Sequence, residues 1–303
     1  MSTFRKALLQ LHVFVLLAGL TGPLGYLIQL NGLVLVFYRM LITTLVLWSL
    51  HFFRKNIPKY TTKTKTQLLG IGAIIALHWV CFYGSIKLAN VSIALVCFSS
   101  TSLFSSILEP LSKKYKVQIK DILIGLLSLI GILLIFHFDS KFRLGIVVGL
   151  LSALFAAIFS ILNKRITDQV DVHTIQTFEM TGGLLFLMPF VLLLSAVNHF
   201  NPILITPTAA DWGWLFILAI GCTVLSNYLM LSALKQISAF TLNVSLNLEP
   251  VYGIILAFIL FKEQKQLGTS FYIGFALIAL SVLIQMIRIV KQHQHKSISE
   301  HLS

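Results

Sequence analysis

The segment SLNLEPVYGIILAFILFKEQ, residues 245–264, places a carboxylate, Glu249, beside a proline, Pro250, at the head of an otherwise apolar run. Counted from the start of the apolar span at residue 240, about nine residues at ~1.5 Å each carry that carboxylate roughly 14 Å into a ~30 Å hydrocarbon layer. Leu-Glu-Pro occurs once before, at residues 108–110, also beside apolar sequence. A charge next to a helix breaker, deep in a membrane-length segment, predicts a helix irregularity facing protein or water rather than lipid.

Composition extends that reading to the whole chain. Of 303 residues, 57% are hydrophobic and 11% charged, and mean hydropathy is +0.91, whereas a soluble domain carries about a quarter charged residues. This predicts one polytopic, all-α integral membrane domain. The formal net charge of +13 comes from short cation clusters between apolar runs. With no soluble basic module to hold them, they read as topology signals and not as a nucleic-acid surface. The start, MSTFRKALLQLHVFVLLAGL, has the basic-then-apolar order of a signal peptide, but the run continues to about Leu30 without a small-x-small cleavage site. A retained first helix is expected. Cys81, Cys97 and Cys222 sit singly in apolar runs, as buried small hydrophobes do.

Ten apolar segments reach spanning length: 7–28, 33–53, 67–87, 90–112, 120–138, 143–163, 173–197, 212–234, 240–262 and 268–289. With an inside start, the Lys and Arg residues collect on the cytosolic side. Apart from Arg39, only Lys87, Lys141, Arg143, Lys262 and Lys265 fall outside. The asymmetry predicts a multi-pass protein of the cytoplasmic (inner) membrane with both termini cytoplasmic, and a polar cytosolic tail at 290–303. Two registers link the halves. VFYRML (36–41) aligns 140 residues before the stretch around Glu179, pairing Arg39 with Glu179, and LANVSIAL (88–95) aligns 146 residues before LKQISAFTL (234–242). Five helices per half is odd, so residues 143–289 repeat residues 1–138 in inverted orientation.

Under the second register Glu249 corresponds to Leu103, so the two Leu-Glu-Pro tripeptides are not equivalent. Glu109 falls at the cytosolic end of the fourth span, where it can meet Lys113 at i+4 and where Pro110 should end the helix. Arg39, Glu179 and Glu249 are intramembrane, and an ionised group there costs ~2.5 to 3.5 kcal/mol on insertion scales. Each therefore has two readings: snorkelling for Arg39, an interfacial cap neighbour for Glu179 and a protonated, hydrogen-bonded acid for Glu249, or transport for all three. Depth separates Arg39 from Glu179 by ~12 Å along the normal and leaves Glu249 within reach of Arg39. Thr241, Ser245, Glu249 and Tyr252 share one helical stripe, with Asn243, Asn247 and Pro250 nearly opposite. Trp79 and Tyr83 at i, i+4, and Asn227-Tyr228, offer walls for a planar or cationic solute, or simply bundle packing. FSSTSLFSS (98–106) predicts a close helix contact or cavity lining, and His12 and His78 a structural hydrogen bond or a proton relay.

On these residues the chain resembles the EamA family of the drug/metabolite transporter superfamily. The resemblance rests on two five-helix halves, the pattern ALKQISAFTLNVSLNLEPVYGIILAFILFKEQ (233–264), an arginine early in the second span and a glycine-bearing last span, FYIGFALIALSVLI (271–284). The first half departs from it, lacking a proline near Phe104 and carrying Lys116 or Val117 where an acidic residue is expected. The resemblance implies a ten-helix inverted-repeat permease or exporter for small metabolites or drug-like solutes. It implies a central cavity between the halves, with the fifth and tenth helices peripheral. Candidate binding or transport residues are Arg39, Trp79, Tyr83, Glu179, Asn227, Tyr228, Ser245, Asn247, Glu249 and Pro250. No P-loop, H-E-x-x-H or acidic cluster is present, so no cofactor, metal or enzymatic activity is expected. Proton antiport, uniport and exchange all fit. The competing class, a polytopic membrane enzyme or sensor, would need an acid/base constellation that these short loops do not carry.

Overall fold

The computed structural model describes residues 3–54, 58–113, 119–138, 140–197, 206–246, 248–281, 283–284 and 287. Lys114, Lys116, Val117, Asn247 and the tail at 290–303 lie outside them. Among the described residues all regular structure is helical. In order come α1 (Thr3–Gly19), α2 (Thr21–Leu27), α3 (Gly32–Phe52), α4 (Thr62–Leu88), α5 (Val91–Phe98), α6 (Thr101–Lys113) and α7 (Ile119–Phe138). There follow α8 (Arg143–Ile166), α9 (Val172–Val197), α10 (Ala209–Ala219), a π-helical turn (Ile220–Leu225), α11 (Ser226–Leu234), α12 (Ala239–Leu246), α13 (Glu249–Phe261) and α14 (Thr269–Ser281). Seven helical stretches among the described residues are long and apolar enough to cross a membrane, and Leu123–Ile135, α13 and α14 are shorter apolar helices.

The segments expected to be continuous are interrupted in four places, each with a local cause. α1 gives way to α2 at Leu20, where the Thr21 hydroxyl donates to the Ala18 carbonyl at 2.6 Å. α5 and α6 part at Ser99–Ser100 without any proline. There Ser99, Thr101 and Ser102 donate back to the carbonyls of Val96, Phe98 and Ser99, and such back-bonding competes with the helical ladder. Between α10 and α11 the ladder widens into a π turn. α12 stops at Leu246 and α13 begins at Glu249, with Pro250 in its first turn, where a missing N–H costs nothing. Pro110, expected to end its helix, instead lies inside α6, which continues to Lys113. A bundle interior tolerates this because neighbouring groups supply the lost bonds.

Long α4 is the axis of the packing, lying against α8, α9, α3 and α5. Its approach to α9 is close enough that a Cβ on Gly72 would overlap the Glu179 carbonyl. α11 lies against α1, and α10 against α3; α5 meets α13, and α6 meets α12. The interior is rich in hydroxyls, with Thr43, Ser85, Ser92, Ser105 and Ser152 fully buried, while large apolar side chains such as Phe52, Leu192 and Ile259 point outward. That is the distribution expected when lipid surrounds the bundle and small polar groups join helices.

Three carboxylates fasten helix ends across the chain. Asp171 caps α9, accepting from the Thr174 amide at 3.2 Å and hydroxyl at 2.6 Å, and also holds Arg54 at 2.7 Å and the Tyr60 hydroxyl at 3.2 Å. Asp211 forms a capping box with Thr208 and accepts from the Gln29 amide at 2.8 Å. Glu263 follows Lys262 in the left-handed conformation (φ 55°) and reaches back to the start of α5. It accepts there from the amides of Val91 and Ser92 at 3.0 and 2.9 Å and from the Ser92 hydroxyl at 2.6 Å. Helix N-termini favour such anions because their first N–H groups lack partners.

Two outcomes follow. Gly72→Val forces α4 from α9 and should destabilise the detergent-purified protein by ~1 to 3 kcal/mol, the range for overpacking, read as a lower thermal midpoint. Desolvation opposes ionisation of Asp171, but hydrogen bonds from Thr174 and Arg54 and the guanidinium charge prevail, lowering its pKa from 3.8 to about 2. Its contribution is therefore complete above 3.8 and is lost as pH falls toward 2. Asp171→Asn should lower the thermal midpoint at pH 7, and the gap to wild type should shrink on acidification.

Candidate functional site

A small cavity of about 70 Å³ lies inside the bundle. Arg39 of α3, Trp79 of α4, Asn227 of α11 and Glu249 of α13 line it. Phe14 and Thr21 close it on the side of α1 and α2, and Phe82, Phe98 and Phe159 on the side of α4, α5 and α8. Its volume matches a few water molecules at ~30 Å³ each and falls short of the ~300 Å³ typical of small-molecule pockets.

Arg39 is 2% exposed and every branch of its guanidinium is engaged. Nε donates to Thr223 Oγ1 at 2.7 Å, Nη1 to the Tyr83 hydroxyl at 2.7 Å and Nη2 to the Cys222 carbonyl at 3.0 Å. The guanidinium carbon sits 3.8 Å from the centroid of the Trp79 ring, the geometry of a cation–π contact. The π turn makes this possible. Shifting the ladder to i+5 releases carbonyls from i+4 partners, so the Cys222 oxygen accepts from Arg39 while Thr223 donates to Leu218 at 2.8 Å. The Tyr83 ring lies so close to α2 that a Cβ on Gly25 would overlap it, and its hydroxyl reaches the Thr21 carbonyl at 3.5 Å.

Glu249, 4% exposed, opens α13 and faces the same cavity without an ion-pair contact to Arg39. A helix N-terminus and a nearby guanidinium both favour the anionic form of a carboxyl group, while burial opposes it. The site thus sets a buried guanidinium, held by neutral dipoles, and a buried carboxyl group around one cavity.

The remaining candidates disperse. Pro250 is buried beside Glu249 and shapes the start of α13 without lining the cavity. Ser245 donates to the Thr241 carbonyl at 3.0 Å and also lies off the cavity. The face that meets the cavity runs through Leu242, Leu246 and Glu249, and not through the expected stripe of Thr241, Ser245 and Glu249. Asn247 lies outside the described residues, as does the side chain of Asn243. Tyr228 turns away from its neighbour Asn227 and is 49% exposed; consecutive helical residues point ~100° apart, so only one of the two can face the cavity. Glu179 is fully buried beside Asn163, outside hydrogen-bond geometry and away from the cavity, with its backbone against Gly72. His78, by contrast, does line the cavity, and it is held by Ser152, whose carbonyl and hydroxyl both lie 2.9 Å from Nδ1. Sequence reasoning missed Thr223 and the Cys222 carbonyl, since nothing in IGCTVL (220–225) advertises a π turn.

The EamA-like transporter family model matches residues 5–137 and again 143–286. An uncharacterized transporter of Bacillus subtilis, YetK, is 24% identical over 82% of this chain and 77% of its own length. An uncharacterized transporter of Archaeoglobus fulgidus is 24% identical over 88% of this chain and 90% of its own. A solved crystal structure shares the fold at a TM-score of 0.63 and 16% identity, covering 93% of this chain and 96% of the other.

The geometry generates a direct test of how Arg39 is held. Thr223→Val keeps the side-chain shape but leaves Nε without its acceptor, at a cost of ~1 to 3 kcal/mol. Arg39→Lys replaces a three-way fork with one ammonium. Both should lower the thermal midpoint, and Cys222→Ala, which retains the accepting carbonyl, should not.

Proposed function

Because this chain belongs to the EamA-like transporter family, we propose that it is a secondary transporter moving a small solute across the cytoplasmic membrane by alternating access. The cavity shared by Arg39 and Glu249 is its substrate and coupling site. The observation that carries this reading is the burial of an arginine and a carboxyl group, not in contact with each other, around one small cavity, an arrangement costly in a membrane unless it serves transport.

Two inverted halves, residues 1–138 and 143–289, are supported by features that recur in pairs. The family model matches the two portions separately. Asn31 and Asp171 cap α3 and α9; Thr61 and Thr208 cap α4 and α10. α4 lies on α8 as α11 lies on α1, α4 on α9 as α10 on α3, and α7 meets α14 where Gly131 faces Gly274. Both α5–α6 and α12–α13 are broken helices, and they touch. Counting each interrupted pair as one span gives ten, with both ends on the cation-rich, cytosolic side. Rocking one half against the other would open the small cavity to either face.

Proton coupling follows from the same pair. Approach and withdrawal of Arg39 change the charge environment of Glu249, so the carboxyl takes up or releases a proton with each swing. Glu249→Gln keeps the shape without titrating. In proteoliposomes, with a solute chosen by comparing the metabolites of cells with and without the protein, it should abolish pH-driven flux at undiminished abundance. Arg39→Ala should also impair flux, and adding Glu249→Gln to it should cost less than Glu249→Gln alone. Normal, pH-dependent flux through well-expressed Glu249→Gln would make Glu249 a structural hydrogen-bonding residue.

A further inference from the structure

Two concavities outside the central cavity share a wall at the end of the bundle where α3 finishes and α9 begins. The first, about 390 Å³, is lined by Lys6 of α1, Arg54, Lys235 of the segment after α11, and His173 and Asp171 at the head of α9. Its one carboxylate, Asp171, is taken up by Arg54, Tyr60 and Thr174. The Lys6 and Lys235 ammonium groups hold no hydrogen bond or ion pair among the described residues, so this hollow keeps an excess of positive charge. The second, about 540 Å³, is lined by Leu47, Leu50, Ile220, Val224 and Leu225. Leu50, Ile220 and Leu225 are each about half exposed on the lipid-facing surface. Arg54, His173 and Tyr228 border both hollows.

We propose that this pair of hollows is a binding site for an anionic phospholipid, its phosphate against Lys6, Lys235 and Arg54 and an acyl chain in the groove between α3 and the π turn. A cationic hollow at the headgroup level that continues into an aliphatic groove at acyl depth fits one molecule carrying both chemistries. Basic clefts between membrane helices take anionic headgroups in this manner. Tyr228 stands at the junction with 49% of its surface exposed, an aromatic with a polar tip where polar and apolar surroundings meet. A free soluble anion would use the first hollow and leave the second without a role. The groove abuts the turn that holds Arg39, since Val224 and Leu225 belong to the same six residues as Cys222 and Thr223, so an acyl chain there bears on the segment that positions the guanidinium.

The test is binding, independent of transport. Full-length protein is stripped of lipid in a neutral detergent and titrated with dioleoyl phosphatidylglycerol, dioleoyl phosphatidylcholine or glycerol phosphate, with adducts followed by native mass spectrometry. Phosphatidylglycerol should bind ~10-fold or more tightly than phosphatidylcholine, as expected for two or three basic groups at the headgroup. Lys6→Gln combined with Lys235→Gln should erase that preference while leaving phosphatidylcholine binding and elution profile unchanged. Lys6→Arg with Lys235→Arg should retain it, as should Lys63→Gln, a charge removed from the same end but off the hollow. Leu50→Ser should weaken both lipids. Equal binding of the two lipids, or a preference that survives the Lys-to-Gln pair, overturns the site. Glycerol phosphate binding as tightly as phosphatidylglycerol overturns the lipid and makes the hollow a soluble-anion vestibule.

Discussion

The guanidinium of Arg39 is tied to three other parts of the bundle at once: α4 through Tyr83 and Trp79, α2 through Tyr83 and the Thr21 carbonyl, and the π turn through Thr223 and Cys222. A full positive charge away from water needs acceptors in the guanidinium plane, and three of its five N–H groups find them here while Trp79 covers one face. Satisfying that demand accounts for features that otherwise look unrelated. The close seat of Tyr83 on α2 places the phenol, and the widened ladder at 220–225 exposes a carbonyl. The bundle is thus organised around a charge held by neutral dipoles, which leaves the one nearby carboxylate, Glu249, free of a fixed partnership with Arg39.

Much of this was legible in the sequence. Hydropathy located the apolar segments, and an arginine and a glutamate at membrane depth marked Arg39 and Glu249. Spacing at i, i+4 put Trp79 and Tyr83 on one face of α4. What escaped was register. Hydropathy does not record whether a helix continues through Ser99–Ser100, nor which face of a helix meets a cavity. The cavity face runs through Leu242, Leu246 and Glu249 and leaves Ser245 aside, and Asn227 and Tyr228, consecutive on α11, face different surroundings. The π turn is harder still, because the ligand that Arg39 finds there is main chain, which leaves no mark on residue type. Glu179 was marked by the same logic as Arg39, and its burial beside Asn163, away from the cavity, reflects a packing choice between α4 and α9 that only the close approach at Gly72 reveals.

A second economy concerns acids. The chain has 10 Asp and Glu residues in all, and Asp171, Asp211 and Glu263 are each committed to a helix N-terminus while reaching a segment distant in sequence. In a protein whose apolar packing distinguishes poorly between a helix neighbour and a lipid tail, such end-fastening fixes which helices lie together.

Those fastenings are unequal at the two broken helices that touch. α5 starts under a carboxylate from the far end of α13, with three donors aimed at it. α12 starts under the Ser238 hydroxyl, which accepts from the Thr241 amide at 3.0 Å. Charge-assisted hydrogen bonds are roughly twice as strong as neutral ones, so the pair resembles a door with one heavy hinge and one light latch. Of the two broken helices that touch, α12 is therefore the one whose start is held less firmly, so a motion that parts them costs least at that end.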